Sequence, residues 1–239
     1  MSLFSIGKKL IERNPSLISL ASFAYNYILG RNHFRVNGKN NKLEIARSFM
    51  RKTRINIIGN NNEITFGERC YLDSSVITIR GNDNFIHLGK KVFMKNGDLW
   101  IEDDNGGITI GDKTTISGFT HLACIEGKSL AIGSDCLFSS DVYFRVGDSH
   151  SILDMHGNRI NPSEDVFVGN HVWFGNKTIL NKGASIANDS IVGTGAIVTK
   201  KFTQPNVIIA GVPARVIKEN INWDINRIHI ESAQTPPKC

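Results

Sequence analysis

The sequence lacks the features expected of a membrane-spanning, metal-binding or nucleotide-binding protein. Its 239 residues include only four cysteines, which do not have the spacing of a zinc site. The apolar stretch at residues 16–29 is 14 residues long, too short to span a bilayer. No signal peptide and no glycine-rich phosphate-binding fingerprint is recognisable. These absences argue against ATP or NAD chemistry, predict that no metal is required, and favour a reducing cytoplasm.

Positive charge is concentrated at the N-terminus. Residues 1–54 hold 11 Lys and Arg against two Glu, a net charge of +9, whereas the remaining 17 Lys and Arg against 20 Asp and Glu give −3. The basic residues are not interleaved with stacking aromatics, so nucleic-acid binding is not indicated. Residues 16–29 are predicted to form a helix beginning near Pro15. It either caps the open end of the fold or lies on the anionic inner face of the membrane.

What the chain does contain is a repeat. Four glycines stand 22 residues apart, each after an apolar residue: Gly67, Gly89, Gly111 and Gly133. Large apolar residues recur every six positions, with Trp100 on this ladder and Thr78 as its one imperfect position. The pattern stops after residue 144 and resumes over residues 168–198. A period of six fits neither a helix nor a simple strand, and it predicts three short strands per coil of a solenoid.

The 22-residue unit predicts four extra residues at one corner of each coil. The segments beginning at Gly59 and Gly81 look like equivalent corners, because Gly and Asn tolerate a positive φ. A β-sandwich with chance spacing is the alternative, but six consecutive matches over 168–198 argue against it. The predicted organisation is an N-terminal helical, basic segment (1–35), a β-helix (36–203) with an inserted loop (145–167), and a small helical C-terminal extension (204–239).

Three segments resemble the hexapeptide-repeat acetyltransferases. Residues 148–152 resemble the catalytic-histidine loop of that family, residues 165–176 its "IG-x-HVWIG" coil, and residues 210–218 its "AGxPAKxI" segment. Residues 157–161 are similar to O-acetyltransferases of bacterial capsule and surface glycans, including sialic-acid capsules. The resemblance implies an all-β, left-handed parallel β-helix that assembles as a homotrimer. It also implies transfer of acetyl from acetyl-CoA to a sugar hydroxyl of a surface polysaccharide or its precursor.

The resemblance also implies site residues. His150 is the expected general base, because a histidine exchanges protons near neutral pH and this one lies in the interruption. Trp173 and Asn176 are candidates to stabilise the thioester oxyanion, whereas His171 is expected to be structural. The implied acetyl-CoA contacts are Gly175, Thr194, Ala196, Thr199, Lys200, Arg215 and Lys218. Weaker candidates for acceptor contacts are His121, Glu126, Arg145, Asp148 and Arg159.

Three other functions remain open at this point. A sugar-nucleotide N-acetyltransferase of the same fold would use the same histidine on an amine. A metal-dependent enzyme resembling the γ-type carbonic anhydrases would need three converging histidines, for which His150, His156 and His171 are available. A non-catalytic solenoid would need none of these groups.

Overall fold

The computed structural model describes residues 15–45 and 47–228, and their side chains from residue 18 onward. Of the features predicted above, Lys8, Lys9, Arg13 and Cys239 lie outside the described residues. The described chain is a parallel β-solenoid whose three sheets contain eight, eight and nine strands. The predicted β-helix is therefore confirmed.

Each coil contributes one strand to each of three sheets, which form the faces of a triangular prism. Sheet A contains β1 (His33–Asn37), β4 (Arg54–Ile58), β7 (Val76–Arg80), β10 (Gly97–Glu102), β13 (Thr120–Cys124), β16 (Val142–Arg145), β19 (Ile179–Leu180) and β22 (Ile197–Val198). Sheet B contains β2 (Lys42–Ile45), β5 (Glu63–Phe66), β8 (Phe85–Leu88), β11 (Gly107–Ile110), β14 (Ser129–Ile132), β17 (Val166–Val168), β20 (Ser185–Ile186) and β23 (Lys201–Phe202). Sheet C contains β3 (Phe49–Arg51), β6 (Tyr71–Asp73), β9 (Phe93–Lys95), β12 (Thr115–Ile116), β15 (Leu137–Phe138), β18 (Trp173–Phe174), β21 (Ile191–Val192), β24 (Ile208–Gly211) and β25 (Ala214–Lys218).

The corners between the sheets form three edges along the prism. Within each coil the chain runs from sheet A to B to C, so we name the edges A/B, B/C and C/A. The predicted corners at Gly59 and Gly81 lie on the A/B edge and have φ values of 137° and 140°. A side chain on Gly59 would collide with the carbonyl oxygen of Gly81 in the next coil. Glycine is therefore needed here both for its φ and for the close stacking of coils.

The core ladder follows the predicted six-residue rhythm except on sheet A of the early coils. Leu99 and Ile101 are fully buried, whereas Trp100, which was predicted to be core, points outward. Gly97 pairs with Thr120, 23 positions away rather than 22, so the corner that precedes β10 is one residue shorter than the corner that precedes β13. Side chains alternate along a strand, so a slip of one residue exchanges the two faces. The same slip explains why Thr78 broke the apolar pattern.

A helix covers the N-terminal end of sheet C. Helix α1 (Pro15–Ala24) continues into a π-helical turn (Tyr25–Leu29). Ser22 Oγ donates to the Ser48 carbonyl at 2.5 Å, and Asn26 Oδ1 accepts from the Met50 amide at 2.7 Å. These bonds satisfy backbone groups beside and within β3, the edge strand of the sheet. Within the described residues, no helix is long and apolar enough to cross a membrane.

The C-terminal segment is not helical where it is described. Strands β24 and β25 form an antiparallel hairpin, and residues 219–228 then fold back along the solenoid. The Trp223 indole donates to the His171 carbonyl at 2.9 Å, and the Ile221 amide donates to the Asn206 carbonyl at 3.0 Å. The predicted helical character is therefore wrong for residues 204–228, and residues 229–239 lie outside the described chain.

Candidate active site

The interruption of the repeat is a loop on the A/B edge between β16 and β17. Its first turn is packed tightly, because a Cβ on Gly147 would come within 2.6 Å of Ile125 Cδ1. Farther along, an isolated antiparallel bridge joins Leu153 to Arg159. His150 lies between these two anchored points.

A carboxylate and an amide hold the main chain at His150. Asp148 Oδ2 accepts from Lys182 Nζ at 2.5 Å and from Asn161 Nδ2 at 2.9 Å. Asn161 Nδ2 also donates to the His150 carbonyl at 2.8 Å. The Lys182 ammonium, and after it the Asn161 amide, lower the pKa of Asp148 below its ordinary value. Lys182 belongs to the next coil of the A/B edge, so this network fixes the loop to the solenoid.

A second ion pair anchors the far side of the loop. Arg159 Nη2 lies 2.6 Å from Glu126 Oε1, and the Ser163 amide donates to Glu126 Oε2 at 3.3 Å. Glu126 is itself on the A/B edge, one coil before the loop. Glu126, Arg159 and Asp148 thus act as anchors in this structure, although the sequence suggested them as acceptor contacts.

The imidazole of His150 is left open. It is exposed, and across residues 15–45 and 47–228 neither ring nitrogen has a hydrogen-bond partner. Asp148 therefore supports His150 through the main chain and not through the ring. The arrangement presents a fixed backbone with both ring nitrogens accessible to substrate.

Trp173 and Asn176 lie on another part of the prism. Trp173 is on the outer face of sheet C, where the residue is 37% exposed. Its ring centroid lies 6.0 Å from that of Trp223. Asn176 lies on the C/A edge, and its Oδ1 accepts from the Ser140 amide at 3.0 Å. This bond leaves Nδ2 as a donor. A Cβ on Gly175 would lie 2.6 Å from the Thr194 amide, so a glycine lets these two coils approach.

The other candidates for acetyl-CoA contacts divide between two edges. Thr194 is exposed on the C/A edge beside Gly175, whereas Thr199 and Lys200 are exposed on the A/B edge. Arg215 and Lys218 are exposed on β25. Ala196 is fully buried, and its amide and carbonyl are bonded to Gly193 and Ile179. The predicted contact through Ala196 is therefore wrong, because it has no free group to offer.

His171 has the contacts of a structural residue. Its ring stacks on Trp223 with centroids 4.1 Å apart, and its Nδ1 lies 2.9 Å from Asp189 Oδ1. In the part of the chain that the structure describes, no three His, Cys, Asp or Glu side chains are grouped as they would be around a metal ion.

A groove of about 390 Å³ lies on the outer face of sheet A beside the start of the loop. His121 lines it, and its Nδ1 lies 2.8 Å from Asp98 Oδ2. Arg145 lines it from above and has no ion-pair partner among the described residues. The sequence did not single out Asp98, Asn161 or Lys182, because each acts through a partner more than ten residues away. Trp100 was misread as core because of the register slip.

Comparison with known proteins identifies O-acetyltransferases as relatives of this chain. No family model matches the sequence. A polysialic acid O-acetyltransferase of Neisseria meningitidis is 34% identical over 203 residues, which cover 84% of this chain and 94% of that protein. A galactoside O-acetyltransferase of Escherichia coli K12 is 34% identical over 99 residues, 41% of this chain and 48% of that protein.

Two solved structures have the same coil arrangement. The polysialic acid O-acetyltransferase OatWY superimposes with a TM-score of 0.79 and 33% identity, covering 84% of this chain and 94% of that one. The polysialic acid-specific acetyltransferase NeuO does so with a TM-score of 0.75 and 28% identity, covering 85% and 92%. A solenoid cannot be superimposed on its mirror image, so all three chains wind with the same hand.

Proposed function

The chain belongs to the hexapeptide-repeat acetyltransferases, among the relatives of polysialic acid O-acetyltransferase. From this we propose that it transfers acetyl from acetyl-CoA to a hydroxyl group of a sugar in a surface polysaccharide or its precursor. The observation that carries the proposal is His150, an exposed imidazole with free ring nitrogens on a loop fixed by the contacts of Asp148 and Asn161.

His150 acts as the general base. A sugar hydroxyl is a poor nucleophile near neutral pH, so its proton must be removed as its oxygen attacks the thioester carbonyl carbon. His150 takes that proton, and the carbon–sulfur bond breaks. The imidazolium then returns the proton to the departing thiolate. The products are the O-acetyl sugar and free CoA, and no other reactant is consumed.

Trp173 and Asn176 are the donors proposed for the oxyanion that forms on the thioester carbonyl. The indole N–H of Trp173 has no hydrogen-bond partner among the described residues, and Asn176 Nδ2 is likewise unoccupied. Donors placed in advance stabilise the developing charge without having to reorganise.

The topology favours a site shared by two chains. The Lys182 and Glu126 contacts hold the His150 loop along the A/B edge, and in a triangular prism this edge is opposite sheet C, where Trp173 lies. In the proposed arrangement, His150 of one chain meets Trp173 of a second chain. Acetyl-CoA would then lie between Thr194 and Asn176 of one chain and Thr199 and Lys200 of the other, with Arg215 and Lys218 near its phosphates. A homotrimer provides three such sites.

Helix α1 supports a further proposed contact, with an anionic membrane surface. The polar residues Ser22 of α1 and Asn26 of the π-helical turn that continues it face the solenoid. Leu20 of the helix and Ile28 and Leu29 of the turn face outward and are 66%, 72% and 68% exposed. The basic N-terminal segment matches the charge of anionic lipid headgroups. The proposed location is accordingly the cytoplasm, at the inner face of the membrane, which suits the free thiols of the described cysteines.

His150→Ala tests the proposed reaction. Purified protein is given acetyl-CoA and the surface polysaccharide of the producing cell, and both CoA release and the mass added to the sugar are measured. We expect a loss of about 10²- to 10⁴-fold, the usual contribution of a general base. His156→Ala, an exposed histidine of the same loop, is the control and should keep its activity. Equal activity in the two variants would overturn the role of His150, and acetylation of an amine would favour the N-acetyltransferase.

A further inference from the structure

The outer face of sheet A has a notch made by one small side chain. In the register of the sheet, Ala123 lies between Trp100 of the coil below and Arg145 of the coil above. The flanking residues are all larger than alanine, so the face is recessed at this position. The recess is part of the groove of about 390 Å³, whose upper rim includes Ser149, next to His150 in the chain.

Trp100 forms the floor of the notch in a fixed orientation. Its indole Nε1 donates to Glu102 Oε2 at 3.3 Å, and the Arg80 guanidinium lies 4.9 Å from the ring centroid. These contacts hold the indole against rotation. An aromatic surface of this kind packs against the apolar C–H face of a pyranose ring, since each offers apolar area with polar groups at the margin.

Hydrogen-bonding groups surround that floor. Asp98 and Glu102 flank Trp100 on the same strand, and both are carboxylates that accept from hydroxyls. His121 uses Nδ1 on Asp98, which leaves Nε2 without a partner in the described chain. Arg145 adds free donors at the top. This alternation of acceptors and donors around an aromatic surface suits the ring of vicinal hydroxyls on a sugar.

We propose that this notch binds a second pyranose unit of the acceptor, adjacent in the glycan chain to the unit that is acetylated. The inference rests on the proposed function and deepens it, because it assigns the acceptor to polymers or oligosaccharides. Adjacent strands are about 4.8 Å apart, so Trp100 lies about 10 Å below Arg145. One sugar beside Arg145 and Ser149, at the rim next to His150 in the chain, and its neighbour on Trp100 would span that distance. A second groove of about 470 Å³ continues downward past Trp100 and Phe119, which gives room for further units.

Ala123→Leu fills the notch without touching the core, because residue 123 points outward from the sheet. Acceptors are the surface polysaccharide of the producing cell and the monosaccharides released from it by hydrolysis. We expect kcat/KM for the polysaccharide to fall at least tenfold, with kcat/KM for the monosaccharides unchanged. Asn56→Leu, on the same outward column three coils below Ala123 and outside the notch, is the matched control. An equal effect on both acceptors, or no effect on the polymer, would overturn the second subsite.

Binding measured without the reaction gives an independent readout. Polysaccharide is titrated into protein without acetyl-CoA while tryptophan fluorescence is recorded, and the change is expected to disappear in Trp100→Phe but persist in Trp173→Phe. Persistence in both variants would contradict the proposal. If wild-type protein binds the polymer through Trp100 but never acetylates it, the proposed function fails while the subsite stands. If His121→Ala abolishes transfer to the monosaccharides, His121 is part of the reacting centre and the subsite is rejected.

Discussion

His150 owes its position to its main chain. Asn161 Nδ2 bridges the His150 carbonyl and the Asp148 carboxylate, and Lys182 ties that carboxylate to the next coil. The ring itself can therefore turn toward substrate while its backbone stays fixed. A general base needs this combination, because an error of about 1 Å in position can cost about 10²-fold in rate.

Asp148→Asn should loosen the loop without unfolding the solenoid. The substituted amide keeps one acceptor for two donors and loses the ion pair with Lys182, so we expect kcat to fall about tenfold, equivalent to about 1.4 kcal/mol. The thermal midpoint should stay within about 2 °C, because the loop projects from the core. Asp154→Asn is the control, since among the described residues Asp154 bonds only within its own turn, to His156 and Asn158. An equal fall in kcat in both variants would contradict the anchoring role.

The Asp148 carboxylate limits how the activity can depend on pH. Its pKa is lowered, so the ionised form contributes stability at every pH above 3.8, the ordinary aspartate value. That contribution is lost only as the pH falls through the lower pKa of the folded protein. A change of activity between about pH 5 and 8 must therefore come from another group.

The sequence singled out the residues that belong to a recognisable motif or to a fixed position of the repeat. His150 and Trp173 stand in recognisable motifs. Cys70 and Cys136 each follow a large apolar residue of the repeat by four positions, where a small residue is expected, and both are buried. Asn161 and Lys182 could not be predicted in the same way. Their role depends on which coils the loop lies against, and no periodicity records that.

At the scale of elements, the repeat predicted the strands, but it did not predict the one-residue register shift before β10. A corner one residue shorter keeps the count of 22 per coil, because the A/B corner is correspondingly longer. The glycine spacing therefore conceals the change, which is revealed by the pairing of Gly97 with Thr120 and by the burial of Leu99 and Ile101. Helix α1 was predicted from a run of apolar residues. That its polar side faces the solenoid could not be predicted, because this orientation depends on backbone groups near β3 that need hydrogen-bond partners.

The outward face of α1 gives a prediction about vesicles. The triple variant Leu20→Ser, Ile28→Ser and Leu29→Ser should bind phosphatidylserine-containing vesicles more than tenfold more weakly, because each apolar side chain contributes about 1.5–3 kcal/mol on burial. Partition is measured by sedimentation, and binding of the unaltered protein should weaken with added salt.

The matched control replaces three exposed isoleucines elsewhere, Ile58→Ser, Ile152→Ser and Ile225→Ser, and should bind as the unaltered protein does. Light scattering follows the molar mass of each variant in the same buffers. Unchanged vesicle binding together with a smaller assembly in the α1 variant would show that this face contacts another subunit, which contradicts the membrane proposal.

At the scale of the molecule, the prism separates the His150 loop from Trp173, which the proposed reaction brings together. Sheets A, B and C enclose a continuous apolar core from Met50 to Ala214, so side chains from opposite sides cannot meet through it. The loop lies on the A/B edge, which is opposite sheet C. In the proposed arrangement, a second copy alongside, with its sheet C toward the loop, would complete the site.

Mixed assemblies test this arrangement directly. His150→Ala and Trp173→Ala chains, each inactive alone, are co-expressed with different affinity tags, and assemblies that contain both are isolated by two successive purifications. In a trimer with either 2:1 composition, one interface pairs an intact His150 with an intact Trp173, so about one third of the normal activity should return. Assemblies of doubly tagged His150→Ala chains are the control and should stay inactive. A site contained in one chain would leave the mixed trimers inactive as well, since every chain in them lacks one of the two residues.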